Sequence, residues 1–296
     1  MPDIHHVTLA NGLDAAYLAA GDEGPLAVCL HGFPDTAHTW RHLLPRLADA
    51  GYRAVAPFNR GYAPTGLAPD GAYQCGALGV DANLLHDALG GDSDAIIIGH
   101  DWGGLATYAA TGVEPTRWRR SVAMAVPPGP ALMVTYFSYE QLRLSWYQYF
   151  FQSPFAEMAV AADDHRFIAN LWRDWSPGYD ATEDLLYWHE SMPDDEHLSA
   201  AIACYRHTLG GTGQLPEYAE AQTASLAAPV TPTLYLHGRT DGCMSVASAE
   251  LAGAVMPVPG SRAEILDGVG HFLHLEDPEA VNSRILDFVT TKDGPR

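Results

Sequence analysis

Ile96-Ile97-Ile98-Gly99-His100-Asp101-Trp102-Gly103-Gly104 decides the fold. Three β-branched apolar residues make a short buried strand, and the glycines on either side of Asp101 permit a turn too sharp for side chains. Apolar residues after Gly104 predict a helix from near Leu105. A strand running through a tight turn into a helix lifts residue 101 above the sheet, next to the positive end of the helix dipole. A carboxylate there is ionised near neutral pH and can attack carbon. Taken alone, the pentapeptide reads equally well as a tight turn with a capping aspartate.

Working outward, Leu26–Leu30, Tyr52–Ala56, Ala95–Ile98, Ser121–Val126, Thr233–Leu236 and Ala263–Leu266 are short apolar runs separated mostly by helical patterns. That alternation predicts a mostly parallel sheet flanked by helices. Asn11-Gly12, between His5–Ala10 and Leu13–Ala19, predicts a two-residue hairpin turn at the start. Trp40–Ala50 ending at Gly51, and Ala77–Leu89 ending at Gly90-Gly91, read as crossover helices closed by glycine. Between Pro127-Pro128-Gly129-Pro130 and Ala227-Ala228-Pro229 lies a Tyr- and Trp-rich stretch with helical spacing and no strand signal. It divides the chain into a core, 1–127 with 228–296, and a helical insertion, 128–227.

Two downstream residues complete a constellation. Asp241 falls just after the strand Thr233–Gly238, and His271 stands in Asp267-Gly268-Val269-Gly270-His271-Phe272 after the last strand. His274 is the alternative histidine. Nucleophile, acid and histidine in that order is the α/β-hydrolase order. Leu30-His31-Gly32-Phe33-Pro34 follows an early strand, where that fold draws one N–H of an oxyanion hole; Phe33 and Trp102 are the expected main-chain donors.

These motifs resemble the epoxide hydrolases of the α/β-hydrolase fold, a group close to the haloalkane dehalogenases. His31-Gly32-Phe33-Pro34, Gly99-His100-Asp101-Trp102-Gly103-Gly104 and Gly270-His271-Phe272 match in order and spacing, and the likeness spans nearly the whole chain. It implies an α/β-hydrolase fold with an inserted helical cap, and a cap tyrosine pair whose hydroxyls hold the epoxide oxygen. Tyr147-Gln148-Tyr149-Phe150-Phe151-Gln152-Ser153-Pro154 resembles the first tyrosine motif and nominates Tyr147; Cys204-Tyr205-Arg206 nominates Tyr205. Tyr149 and Tyr187 are the fallbacks. Arg60-Gly61-Tyr62-Ala63-Pro64-Thr65 departs from the common pattern, which has a small residue and then an acid and serine there. The implied catalytic set is Asp101, His271, Asp241, Tyr147 and Tyr205, with Trp102, Tyr147, Tyr205 and Trp146 against the substrate. Asp101 would form an alkyl ester with an epoxide, and His271, held by Asp241, would activate water against it to release a vicinal diol. No metal or organic cofactor enters that chemistry.

The rival reading is a haloalkane dehalogenase with the same Asp-His-Asp triad. Trp102 suits it, because an indole N–H can hold a halide, but Phe33 stands where a second side-chain donor can serve and has no polar hydrogen. A non-catalytic binding protein on the same fold is a further alternative. A formal charge of −20, with Lys292 the only lysine, repels phosphate backbones and anionic lipid surfaces, so nucleic acid and membrane are not expected partners. Met1-Pro2-Asp3-Ile4-His5-His6 has no signal-peptide character, and Cys29, Cys75, Cys204 and Cys243 form no C-x-x-C pair. The expectation is a cytoplasmic monomer or homodimer with free thiols, acting on a small apolar molecule.

Overall fold

The computed structural model describes residues 3–291. Met1, Pro2 and Lys292, each used in the sequence reading, lie outside the described residues. Eight strands form one sheet: β1 Ile4–Thr8, β2 Asp14–Ala20, β3 Leu26–Leu30, β4 Arg53–Pro57, β5 Ile96–His100, β6 Arg120–Met124, β7 Thr233–Gly238 and β8 Arg262–Leu266. Their order across the sheet is β1-β2-β4-β3-β5-β6-β7-β8. β1, β2 and β4 pair antiparallel, and every other pairing is parallel. β3, β5, β6 and β7 are buried along their whole length, which is why they read as unbroken apolar runs; a strand covered on both faces has no polar side to alternate with.

The helices supply that cover. In chain order they are α1 Leu44–Asp49, α2 Cys75–Ala88, α3 Trp102–Val113, α4 Gly129–Thr135, α5 Tyr139–Leu144, α6 Trp146–Phe150, α7 Ala156–Trp175, α8 Thr182–Ser191, α9 Asp195–Leu209, α10 Ala219–Ala224, α11 Val246–Ala252, α12 Leu273–Glu276 and α13 Pro278–Thr290. α2, α3 and α10 pack together, and α1 packs against α13. Between β6 and β7 the chain holds only helices, α4 to α10, as the aromatic-rich stretch predicts. The last of these, α10, packs on α2 and α3 of the sheet layer. α7 is broken internally, with non-helical backbone at Ala162–His165.

Three local expectations need correction. The first hairpin closes through three residues, not two. Leu9 N–H donates to Leu13 C=O at 2.8 Å, Gly12 N–H donates to Leu9 C=O at 2.8 Å, and Gly12 sits at φ 85°. This is a turn followed by a left-handed glycine, the usual three-residue hairpin. Trp40–Ala50 is not one helix: a 3₁₀ turn, Ala37–Trp40, precedes α1, because Pro45 lacks the N–H an interior helical residue needs and so sits in the first turn. Finally, α3 begins at Trp102, immediately after Asp101, not near Leu105.

Candidate active site

The turn at Asp101 is as sharp as its glycines suggest. Asp101 has φ 52° and ψ −117°, a backbone state that costs a side-chain-bearing residue about 1–3 kcal/mol and needs surrounding structure to hold it. The hold is close packing of backbone on backbone. A Cβ on Gly99 would lie 2.0 Å from Gly103 O, and one on Gly103 would lie 2.1 Å from Leu30 O. Strand β5, the turn and the start of α3 are therefore pressed against the end of β3. Gly32 lies against Asp101 itself, where a Cβ would come within 2.5 Å of Asp101 Oδ1.

That contact aims the loop after β3. Phe33 N–H donates to Asp101 Oδ1 at 2.8 Å. Trp102 is the first residue of α3, so its N–H is among those of the first turn that lack an intrahelical acceptor. On the other side, His271 Nε2 stands 3.7 Å from Asp101 Oδ2, and His271 Nδ1 is 2.9 Å from Asp241 Oδ2. Because the carboxylate accepts, Nδ1 carries the proton in that bond and Nε2 faces Asp101. Asp241 keeps its turn role too: its Oδ1 accepts the N–H groups of Cys243 at 2.7 Å and Met244 at 2.8 Å. The two readings of that aspartate, loop cap and histidine partner, coexist on its two oxygens.

Burial would lower the His271 pKa, but the negative charge of Asp241 and Asp101 outweighs it and pushes it up to about 10. Burial likewise works to raise Asp241, and His271 overrides it to hold the carboxyl below its ordinary range.

The helices between β6 and β7 bring the tyrosines in. α6 places Tyr147, 1 % exposed, with its hydroxyl 3.3 Å from Cys243 Sγ and accepting from Gln148 Nε2 at 3.1 Å. α9 is started by Asp194, whose side chain accepts from Glu196 and His197 N–H, and it turns Leu198, Ile202 and Tyr205 inward. Tyr205 packs edge-on against Trp102, with ring centroids 4.8 Å apart, and against Phe33 at 5.2 Å. Burial pushes both phenols well above their usual range, so each is a neutral O–H donor. The Trp102 indole N–H is a hydrogen-bonding neighbour of the Tyr205 hydroxyl, and His271 Nε2 faces Asp101 as an ion pair.

Asp101, Trp102, Tyr147 and Tyr205 line one cavity of ≈ 110 Å³, walled otherwise mainly by apolar side chains. An outer pocket of ≈ 300 Å³, with Phe137 and Tyr149 on its wall, shares Met133, Tyr136 and Leu209 with it and forms its mouth. Phe33 and His271 are fully buried behind Asp101.

Trp146 is a correction. It is 49 % exposed, packs against Phe150 and Phe167, and does not line the cavity. Neighbours on a helix point about 100° apart, so turning Tyr147 inward turns Trp146 out. The alternatives fall elsewhere. His274 Nε2 pairs with Thr39 Oγ1 at 2.6 Å, Tyr187 donates to Glu183, and Tyr149 stands in the mouth, half exposed.

Sequence reasoning missed the supports. Asp35 takes Gly32 N–H on one oxygen and faces His100 Nδ1 at 3.2 Å on the other, while His100 Nε2 lies 3.0 Å from His271 C=O. This buried relay ties together the loops of Phe33, Asp101 and His271. Its signal was present, since His100 and Asp35 adjoin the quoted motifs. Gln148 likewise stands inside the quoted tyrosine motif, whereas Cys243 carried no comparable signal. Two groups of potential metal ligands converge among the described residues, Asp35–His100–His274 and Asp101–Cys243–His271.

A mostly parallel sheet carrying a strained elbow residue, a histidine–carboxylate pair and a backbone N–H on the same carboxylate defines a hydrolase. Residues 25–278 match the alpha/beta hydrolase fold family, and the chain belongs to it. It is 30% identical to epoxide hydrolase A of Mycobacterium tuberculosis (strain ATCC 25618 / H37Rv), over 95% of each chain. It is 32% identical to epoxide hydrolase 4 of Homo sapiens, over 94% of this chain and 76% of that one. Among solved structures, epoxide hydrolase A from Mycobacterium thermoresistibile superposes with a TM-score of 0.76 at 26% identity, covering 97% of this chain and 98% of that one. No helix among the described residues is long and apolar enough to cross a membrane.

Proposed function

We propose that this hydrolase adds water to small, largely apolar epoxides to give vicinal diols, through a covalent ester on Asp101. One observation carries the reading. Asp101, Tyr147 and Tyr205 line the same small cavity, so a carboxylate and two neutral phenols can meet one substrate. The names of the relatives point the same way.

With Oδ1 held by Phe33 N–H, Oδ2 is the oxygen left to attack a ring carbon. As the C–O bond of the strained ether breaks, negative charge develops on its oxygen, and Tyr147 and Tyr205 hydrogen-bond to it and supply a proton. Tyr205 offers a neutral O–H, and the Trp102 indole beside it can donate to the phenol oxygen as charge builds there. The ester that forms is neutral. One of the two charges holding His271 protonated has then gone and its pKa falls, so its Nε2 proton passes to the tyrosinate left by the first step; the freed Nε2 can then take a proton from water attacking the ester carbonyl. The tetrahedral oxyanion rests on the N–H groups of Phe33 and Trp102. Nucleophile formation and base formation are thereby ordered by charge: His271 becomes a base only once Asp101 has reacted.

In this reading residues 128–227 act as a cap that brings Tyr147 and Tyr205 over Asp101, and the mouth at Tyr136 and Leu209 admits a substrate whose tail lies outward. We place the protein in the cytoplasm, in keeping with four buried free thiols. The Trp102 indole on the cavity wall next to Asp101 favours a second reading, halide release from a haloalkane. Phe33 brings no second side-chain donor, so the epoxide is the better fit.

The test is one turnover in ¹⁸O-labelled water with enzyme in excess over a terminal epoxide. The expected label is on the Asp101 carboxylate, because the diol takes Oδ2. Label in the diol on that turnover rejects the covalent route. A parallel haloalkane, assayed for free halide, separates the two electrophiles.

A further inference from the structure

One cavity residue plays no part in the proposed reaction. Cys243 lines the cavity, is 1 % exposed, and sits 3.3 Å from the Tyr147 hydroxyl. A carboxylate oxygen of Asp101, the Cys243 sulfur and a His271 ring nitrogen all lie within 4.8 Å of one another. Asp241 seats two of the three: its Oδ1 accepts Cys243 N–H and its Oδ2 faces His271 Nδ1.

We propose that Asp101, Cys243 and His271 form a binding site for a soft divalent cation of the zinc type, and that its occupation blocks the cavity. A set of one carboxylate oxygen, one thiolate and one imidazole nitrogen suits zinc and cadmium and is poor for magnesium or calcium, which want oxygen throughout. Two further observations point to a cation. His271 Nε2 is buried and faces Asp101 Oδ2 as an ion pair at 3.7 Å, longer than a direct hydrogen bond. Its other nitrogen is already engaged by a carboxylate, the outer-shell arrangement that orients metal-binding histidines.

The spacing is close to what a cation needs. Ligands about 2.0–2.3 Å from zinc in a tetrahedron stand roughly 3.3–3.8 Å apart. Nε2 and Asp101 Oδ2 are at 3.7 Å, and the sulfur lies within 4.8 Å of a ligand atom of each residue. The charges balance as well. As the metal–sulfur bond forms, the thiol proton leaves to solvent, and His271 gives up its Nε2 proton to bind as neutral imidazole. The carboxylate and thiolate then neutralise the divalent charge. Tyr147 stands beside the sulfur, and the fourth position opens on the cavity. Because the ion takes the oxygen and nitrogen any reaction at Asp101 would use, it acts as an inhibitor.

The inference rests on the cavity and not on the epoxide reading, so its test needs no turnover. The intact protein is titrated with Cd²⁺, following the ultraviolet thiolate-to-cadmium charge-transfer absorption, and with Zn²⁺ in competition with a chromophoric chelator. One equivalent of Cd²⁺ should produce the absorption. Cys243→Ser and Cys243→Ala, each checked for native circular dichroism, should abolish it and weaken Zn²⁺ binding by about 10–100-fold or more. Asp241→Asn, which only orients the ligands, should weaken it about 10–100-fold with the absorption retained at saturation. Cys29→Ser should behave as the parent. Charge transfer that survives in a folded Cys243 variant, or Zn²⁺ affinity unchanged in both Cys243 variants and in His271→Gln, would mean that the ion sits elsewhere on this acidic protein and would overturn the proposal.

Discussion

Tyr205→Phe should slow the protein while changing its stability little. The Tyr205 hydroxyl is buried beside the Trp102 indole, which hydrogen-bonds with it, and such a bond is worth about 0.5–1.5 kcal/mol net. Phenylalanine removes the hydroxyl and keeps the ring, with its edge-on contacts to Trp102 at 4.8 Å, Phe151 at 5.0 Å and Phe33 at 5.2 Å. The variant should therefore lose at most about 0.5–1.5 kcal/mol, a fall in Tm of roughly 1–3 °C at the ~2 °C per kcal/mol expected for a chain of this size. The same change removes one of the two donors proposed for the opening epoxide. Positioned proton donors contribute about 10²–10⁴-fold, and with Tyr147 remaining the loss should be near the lower figure, about 10². Tyr147→Phe is the internal control. Its hydroxyl accepts from Gln148 and meets Cys243, so its removal should cost about 0.5–1.5 kcal/mol while slowing opening comparably. Thermal melts give the first quantity, and stopped-flow tryptophan fluorescence in a single turnover gives the second, with Trp102 beside the reacting carbon as reporter. If Tyr205→Phe melts several degrees above the parent, the hydroxyl has no effective partner in the folded protein. If ester formation proceeds at the parent rate, Tyr205 is not a donor.

Asp241→Asn should act on the second step: with His271 no longer held, hydrolysis should slow by about 10²–10⁴-fold and the alkyl-enzyme should accumulate. Mass spectrometry of the Asp101 peptide would show the substrate mass added, and its absence would remove Asp241 from the role given to it. Asp101→Asn imitates the neutral ester, so His271 should titrate well below its value of about 10 in the parent, as followed by the imidazole resonances in NMR. The linkage has a definite sign. A histidine raised from 6.5 to about 10 on folding contributes stability that is complete below pH 6.5 and is lost as pH climbs toward 10. Denaturant midpoints of the parent should accordingly fall across that window more steeply than those of Asp101→Asn, and parallel curves would show that the Asp101 charge does not support His271.

Much of this was legible in local sequence because the features are themselves local. The burial of β3, β5, β6 and β7 on both faces writes itself into the chain as apolar runs, and helix-ending glycines such as Gly51 and Gly90 announce their left-handed backbone. Asp101 could be singled out because a strand, a residue between glycines and a helix N-terminus are consecutive. Periodicity failed where one residue overruled it, at Pro45 in the broken helix and at Gly12 in the longer hairpin.

Chain order alone thus named Asp101, Asp241 and His271, because the strand ends that carry them follow from alternation of strands and helices. Which side chains face one another across the cavity was left to tertiary packing. The rotation of α6 sends Tyr147 in and Trp146 out. The two oxygens of Asp241 divide between a turn and a histidine, and that same turn delivers Cys243 to within reach of Asp101 and His271. Asp35, His100 and His271 are separated by 65 and 171 residues, and only sheet closure joins them into one relay. A side chain's identity is written in the sequence, but its hydrogen-bond partners, and so its charge and its chemistry, depend on residues that the fold brings near.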